Sequence, residues 1–194
     1  MVNFKSQRGA MFGLDARIAM AIIGALSLVG GTTMFMTSAD VKAKALAKDL
    51  EAYKAAVDSM EYDLKARLTS TINPPVDNQS VIFALNDKSY LLPGYQPNWL
   101  GPYIKSRQGD MSKHENYGDV GFFLAAKDDP FGACNPCFKW LYITDVPQKD
   151  FLIVNQIFDG DEASPETTGR VWWATSGFSG TITNPLALQI GKSL

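Results

Sequence analysis

Two cysteines, Cys134 and Cys137, and one histidine, His114, are all the thiols and imidazoles that 194 residues hold. Two thiols and one distant imidazole cannot close a four-ligand structural zinc site. Charge of one sign is equally scarce, with 18 basic residues against 20 acidic ones and a net charge of −2. The basic residues neither cluster nor interleave with aromatics, which argues against nucleic acid as a partner. Proline is missing from Met11 to Asn73, and no internal repeat or low-complexity linker divides the chain. One stretch lacks charge altogether: nineteen residues from Ile18 to Met36.

That uncharged run is the feature the rest of the chain is arranged around. As a helix it would span roughly 30 Å, the thickness of a hydrocarbon core. It is longer than the apolar core of a secretory signal, and no small-x-small cleavage site follows it, so it reads as a segment that stays in the membrane. Gly24, Gly30 and Gly31 interrupt it, as is ordinary in membrane helices, where glycine also permits close backbone approach. Asp15 and Arg17 stand at its front, preceded by the short basic leader MVNFKSQRGA. Lys5, Arg8 and Arg17 on one side are matched by Lys42, Lys44 and Lys48 on the other, so the basic residues do not set orientation.

Beyond it, Leu46, Leu50, Tyr53, Val57, Met60, Leu64 and Leu68 recur at spacings of three and four, one apolar stripe on a charged helix. The stripe fits either a coiled-coil seam or packing on the domain's own sheet, and the lack of e/g charge pairing favours the sheet. With no proline before Pro74, the apolar run and the amphipathic segment are expected to form one rod from Met11 to Thr71, about 90 Å long if fully helical. Asn73-Pro74-Pro75 ends it.

The remainder carries short β signals at Ser80–Leu85, Tyr90–Leu92, Val120–Ala125, Phe138–Thr144, Arg170–Ala174 and Gly180–Thr183, separated by turn residues. Phe151, Val154, Ile157 and Phe158 mark one helix, stopped by Asp159-Gly160. The expected fold class is therefore α+β: a long N-terminal α-helix, transmembrane in its first half and amphipathic in its second, packed on a C-terminal antiparallel β-sheet domain.

Several smaller groupings bear on chemistry. Asp159, Asp161, Glu162 and Glu166 could gather oxygen ligands for calcium, but their spacing is not that of an EF-hand and a solvated acidic loop is the simpler reading. Asp128-Asp129 precedes Pro130 and reads as turn chemistry. His114, between Lys113 and Glu115, reads as an exposed loop residue with no nucleophile beside it. Trp172 and Trp173 should point to opposite faces of a strand, one into the core and the other to a surface where it could meet a subunit or ligand. No catalytic residue, metal site or cofactor is expected.

From Arg8 to Ala39 the sequence resembles the N-terminus of type IV pilin-like proteins, the superfamily of pilins and type II secretion pseudopilins. Its carriers are the basic leader ending Arg8-Gly9-Ala10, the apolar Met11, the acid Asp15 and the apolar run containing Gly24. Here alanine stands where the family usually has glycine, and aspartate where it usually has glutamate. The resemblance implies cleavage by a prepilin peptidase between Ala10 and Met11, methylation of the new N-terminus at Met11, and an assembly role for Asp15, the fifth residue after the cut. It implies four regions: leader 1–10, transmembrane and assembly segment 11–38, amphipathic helix 39–72 and β-rich domain 73–194. On the far side of the membrane the C-x-x-C of Cys134 and Cys137 would meet an oxidising compartment, where a local disulfide is favoured over a redox motif.

The expected function is thus a structural, non-enzymatic subunit of a pilus or pseudopilus. Its partners would be identical or homologous subunits, the prepilin peptidase, an inner-membrane assembly platform and the lipid bilayer. It would begin as a single-pass inner-membrane precursor with its domain in the periplasm and end in a periplasmic or extracellular filament. The alternative is a membrane-anchored periplasmic binding or thiol-redox protein that does not polymerise.

Overall fold

The computed structural model describes residues 40–72, 79–104, 112–126, 137–161, 164, 169–174, 176–177 and 182–192. One compact unit spans Lys42–Leu194; of the other, Met1–Val41, only residues 40 and 41 are described.

The expected architecture with a transmembrane half does not stand. Among the described residues no helix is long and apolar enough to cross a membrane. The first described helix, α1 (40–64), carries ten charged residues from Asp40 to Asp63, and the stretch 11–38 lies outside the described residues. Nor does the helix run on to Thr71. Lys65 adopts a left-handed conformation (φ 49°) that ends α1, in the position where helices commonly stop on such a residue. A separate turn, α2 (Leu68–Thr71), follows extended Arg67. Thr71 caps this turn by donating its hydroxyl to the Leu68 carbonyl at 2.8 Å.

The stripe on α1 is the spine of the core. Leu46, Leu50, Val57, Met60 and Leu64 are buried, as is Leu68 of α2, and Tyr53 is half-buried. Each fully buried aliphatic side chain contributes about 2 kcal/mol by removal from water. They form one cluster with Val120, Phe122, Leu141, Ile143, Leu186, Leu188 and Ile190 of the sheet.

Ser80–Leu85, expected as a strand, is mostly helix α3 (Ser80–Ala84). Its β-branched pair Val81 and Ile82 is outweighed by placement: Val81, Ile82 and Leu85 all enter the core from one helical face. Tyr90–Leu92 is likewise no strand. Lys88–Tyr90 is a 3-10 turn capped by Asp87, and Leu91 makes a single bridge to Ile72.

The main sheet is antiparallel with order β1-β2-β6-β3, built from β1 (Val120–Ala125), β2 (Phe138–Ile143), β3 (Val171–Trp173) and β6 (Leu186–Lys192). Strand β6, unforeseen from sequence, lies between β2 and β3 and pairs with both. Two-residue strands β4 (Ser176–Gly177) and β5 (Ile182–Thr183) make a small separate ribbon; of the expected strand Gly180–Thr183, Ile182 and Thr183 form β5, and residues 180 and 181 lie outside the described residues.

The strands bury both faces. Val120, Phe122, Leu141, Ile143, Leu186 and Leu188 join the aliphatic cluster with α1, while Phe123, Ala125, Trp140, Tyr142 and Ala187 form a second cluster against Phe138 and Trp172. The last helix, α4 (Gln148–Phe158), buries Phe151 and Val154 but leaves Ile157 48% exposed. The apolar face of α4 is therefore narrower than expected, with Asp150 and Asn155 buried in it instead.

Candidate functional site at the junction of helix and sheet

Three polar contacts tie one length of α1 to the domain that surrounds it. The first involves His114, expected as an exposed loop residue and found with its side chain only 2% exposed. The turn that carries it closes on itself, with the His114 amide donating to the Gly118 carbonyl at 2.9 Å. The Asn116 amide donates to Nδ1 at 3.2 Å, and Nε2 meets Asp49 Oδ2 of α1 at 3.1 Å. An accepting Nδ1 puts the neutral ring's proton on Nε2, facing the carboxylate. Both nitrogens are then engaged, and the ring ties its turn to α1.

The second contact lies on the strap after α3. Trp99 donates its indole N–H to the Ala84 carbonyl at 3.0 Å and packs edge-on against Tyr103. Tyr103 donates its hydroxyl to Asp63 Oδ2 of α1 at 2.8 Å and accepts the Leu100 amide at 3.1 Å. Burial, reinforced by the Asp63 carboxylate, raises the Tyr103 hydroxyl above its ordinary range.

The third is Lys139 on β2, a nearly buried lysine within the run FKWLYI. Its Nζ donates to Glu61 Oε2 at 2.5 Å and lies 4.0 Å from Asp58 Oδ1. Asp58 also pairs with Lys54 at 2.7 Å, so alternating charges run from α1 to the sheet.

Behind the His114 turn the network reaches α4. Tyr117 stacks at a tilt on His114 and donates its hydroxyl to Asp150 Oδ2 at 3.0 Å. Burial first, then the Asp150 charge and hydrogen bond, raise the Tyr117 hydroxyl well above its usual range. Asp150 sits at the third position of α4, where an acid ordinarily reaches back to the N–H of the capping residue. The cap is Pro147, which has no N–H, and Oδ1 of Asp150 has no hydrogen-bond partner.

Of the residues singled out in the sequence, Ala10, Met11, Asp15 and Cys134 lie outside the described residues, as do Asp128, Asp129, Glu162 and Glu166. Cys137 is disulfide-bonded and immediately precedes β2. Asp159 acts on the backbone: its Oδ2 accepts the amides of Arg170 and Val171, each at 2.7 Å, and so starts strand β3. Asp161 accepts from Gln156 at 3.3 Å. Among the described residues no three His, Cys, Asp or Glu side chains are placed to hold a metal ion.

Trp172 and Trp173 do face opposite ways, but both are half-buried. Trp173 stacks on Phe151 and donates to the Val146 carbonyl at 2.8 Å, whereas Trp172 meets Trp140 edge-on in the aromatic cluster. Sequence reasoning missed Asp49, Glu61, Asp63, Tyr103, Tyr117, Lys139 and Asp150. Only Lys139 had a visible signal, as a charge inside an otherwise apolar strand.

No known protein family matches the chain, and no curated protein or solved structure matches it either.

Proposed function

We propose that this chain is a structural, non-enzymatic subunit of a type IV pilus or a type II secretion-type pseudopilus. The observation that carries the reading is the order of residues at the N-terminus: a basic leader ending at Ala10, apolar Met11, Asp15 as the fifth residue after that point, and no charge from Ile18 to Met36. Support comes from α1, the next segment in sequence, whose apolar face is buried in the domain core and whose flanks are tied to it through Asp49, Glu61 and Asp63. A force applied to this helix is borne by the packed domain and not by a flexible linker.

In this reading a prepilin peptidase cuts after Ala10 and the bared amino group of Met11 is methylated. The precursor is held at the inner membrane by residues 11–38, with its domain on the periplasmic side. An assembly platform then passes it into a filament of identical or homologous subunits. The α-amino charge of Met11 is placed in a low-dielectric setting, where a charge is tolerated only when paired. Asp15 of a neighbouring subunit supplies that partner and sets the register.

Intact-mass measurement on protein extracted from membranes of the native host tests the processing. Loss of residues 1–10 with one added methyl group is expected. An uncut Met1 start in a host with active peptidase sinks the reading and favours the membrane-anchored periplasmic binding or thiol-redox alternative. Asp15→Ala should leave membrane association intact and abolish filaments in electron micrographs; normal filaments would remove Asp15 from assembly.

A further inference from the structure

Among the described residues six large hydrophobic side chains stand open to solvent, and four of them fall into two pairs. In the first pair, Tyr62 near the end of α1 is 82% exposed and Leu100 on the strap is 75% exposed. One hydroxyl ties their surroundings together: Tyr103 accepts the Leu100 amide at 3.1 Å and donates to Asp63, the neighbour of Tyr62, at 2.8 Å. Both side chains are thus presented on a braced frame, which lowers the cost of ordering them against a partner. Leading up to Tyr62, the exposed positions Ala52, Ala55 and Ser59 follow at spacings of three and four. Their small side chains let another helix lie close, and exposed Glu51 stands at the flank. The second pair is on α4, where Leu152 is 43% and Ile157 48% exposed, with half-buried Ile153 beside them. The one exposed charge on α4 is Lys149, a turn before Leu152.

The two faces match each other in shape, charge and length. One offers aliphatic knobs, and the other a floor of small residues walled by Tyr62 and Leu100. Glu51 and Lys149 have no ion-pair partner among the described residues and carry opposite charge. Lys149 to Ile157 and Glu51 to Ser59 are equal runs of helix, about 12 Å each. Laid parallel, they bring Lys149 to Glu51, Ile153 over Ala55, and Ile157 to Ser59 and Tyr62. Both helices turn their other faces into one core cluster, through Leu50 and Met60 of α1 and Phe151 and Val154 of α4. The open faces therefore point outward and cannot meet within one copy. We propose that the exposed face of α4 docks on the α1–strap face of a second copy of this chain. Such a contact joins unlike surfaces, so each copy gives one face and takes the other, and the pattern repeats from subunit to subunit. One helix against one helix is a small interface, and repetition is what makes it hold. The proposal rests on the filament reading above and adds to it the surfaces by which the domains meet.

The test uses the full chain in its native host, with photoreactive benzoylphenylalanine in place of Tyr62. Cells are irradiated, covalent dimers are isolated, and the crosslink is mapped by peptide mass spectrometry. It should join position 62 of one copy to residues 149–158 of another. Absence of dimers, or dimers linked through any other segment, overturns the contact. Glu51→Lys and Lys149→Glu should each lower the dimer yield about threefold, and the two changes in one chain should restore it. A double variant no better than the single ones overturns the proposed pairing. Ile157→Asp should lower the yield further while leaving the urea midpoint of the exposed-site variant at the parent's value; an undiminished yield also overturns the proposal. Electron microscopy of the same cells separates the two readings. A correctly mapped dimer in cells without filaments sinks the filament and leaves the contact standing, whereas filaments without that crosslink do the reverse.

Discussion

The two faces of the four-stranded sheet are both buried, yet they are made of different material. Toward α1 the sheet presents Val120, Phe122, Leu141, Ile143, Leu186 and Leu188, and the helix answers with leucine, valine and methionine. On the other face the cluster is Phe123, Trp140, Tyr142 and Trp172, whose rings stack, tilt or meet edge-on at 5.8–6.4 Å between centroids. The aliphatic face gains its stability from close packing against a regular helix, where rows of branched side chains interlock. The aromatic face gains from large rings that bury much area each and place their polar tips on backbone carbonyls: Trp140 donates to Ala126 and Trp172 to Gly169. Charged and titratable groups at the junctions belong to the α1 side, through His114, Tyr117, Lys139 and Asp150.

The largest effect should come from cutting into the aliphatic face. Leu50 is fully buried in the middle of α1. Leu50→Ala removes three heavy atoms from a site walled by both helix and sheet, where little can collapse, and should cost about 3–5 kcal/mol in urea unfolding. A cost below about 1.5 kcal/mol would mean that the helix face is loosely packed and that the contrast between the two faces fails.

The aromatic face should respond next, to an addition and not a deletion. A β-carbon at Gly121 would overlap Cζ of Tyr142, whose ring lies over the glycine. Gly121→Ala must displace that ring, and with it the Phe123–Tyr142 contact, for about 1–3 kcal/mol. Near-ultraviolet circular dichroism separates the two faces: the Gly121 variant should change the aromatic signal in the folded state, while Leu50→Ala should lower stability with little change in it.

The aliphatic α1 stripe was legible before the fold, because spacings of three and four on a charged background can only bury one helical face. Strands β1 and β2 were legible as near-continuous apolar runs, which is also why burial on both faces should have been expected of them. Strand β6 was missed although Leu186, Leu188 and Ile190 alternate with Ala187, Gln189 and Gly191, since its small and polar members dilute the signal. Ser80–Leu85 went the other way: six residues hold too few turns for periodicity to separate helix from strand, and packing decided. His114 misled because two charged neighbours describe the chain beside it, whereas its burial is set by Asp49, sixty-five positions away. The end of α1 at Lys65 had no signal at all, as the left-handed residue is neither glycine nor asparagine.

A smaller and pH-dependent effect should come from the polar link at the edge of the aliphatic side. Tyr117→Phe removes the hydroxyl that donates to buried Asp150 and should cost about 1–2 kcal/mol near neutral pH. The folded state raises the Tyr117 hydroxyl above its unfolded value, chiefly through burial. The link therefore contributes in full below the unfolded value of about 10, and its contribution falls as the pH rises past that point. The difference in stability between the parent and Tyr117→Phe should accordingly be flat from about pH 6 to about 9 and shrink above about 10. A difference that stays constant into the alkaline range would show that the hydroxyl is not held neutral by its surroundings.

The smallest effect is expected where the aliphatic side is least aliphatic. Lys139 brings an ammonium nearly out of water to meet Glu61, and a nearly buried ion pair returns little beyond its own desolvation. Lys139→Met keeps most of the alkyl stem that packs beside Gly191, where a β-carbon on the glycine would lie 3.3 Å from the lysine Cε. It leaves Glu61 with a side chain 21% exposed and able to recover water, and Asp58 still paired with Lys54. The change should therefore move stability by no more than about 1 kcal/mol in either direction. A loss of more than about 2 kcal/mol would make Lys139 a structural charge in its own right, and would shift part of the grip between α1 and the sheet from packing to ion pairing.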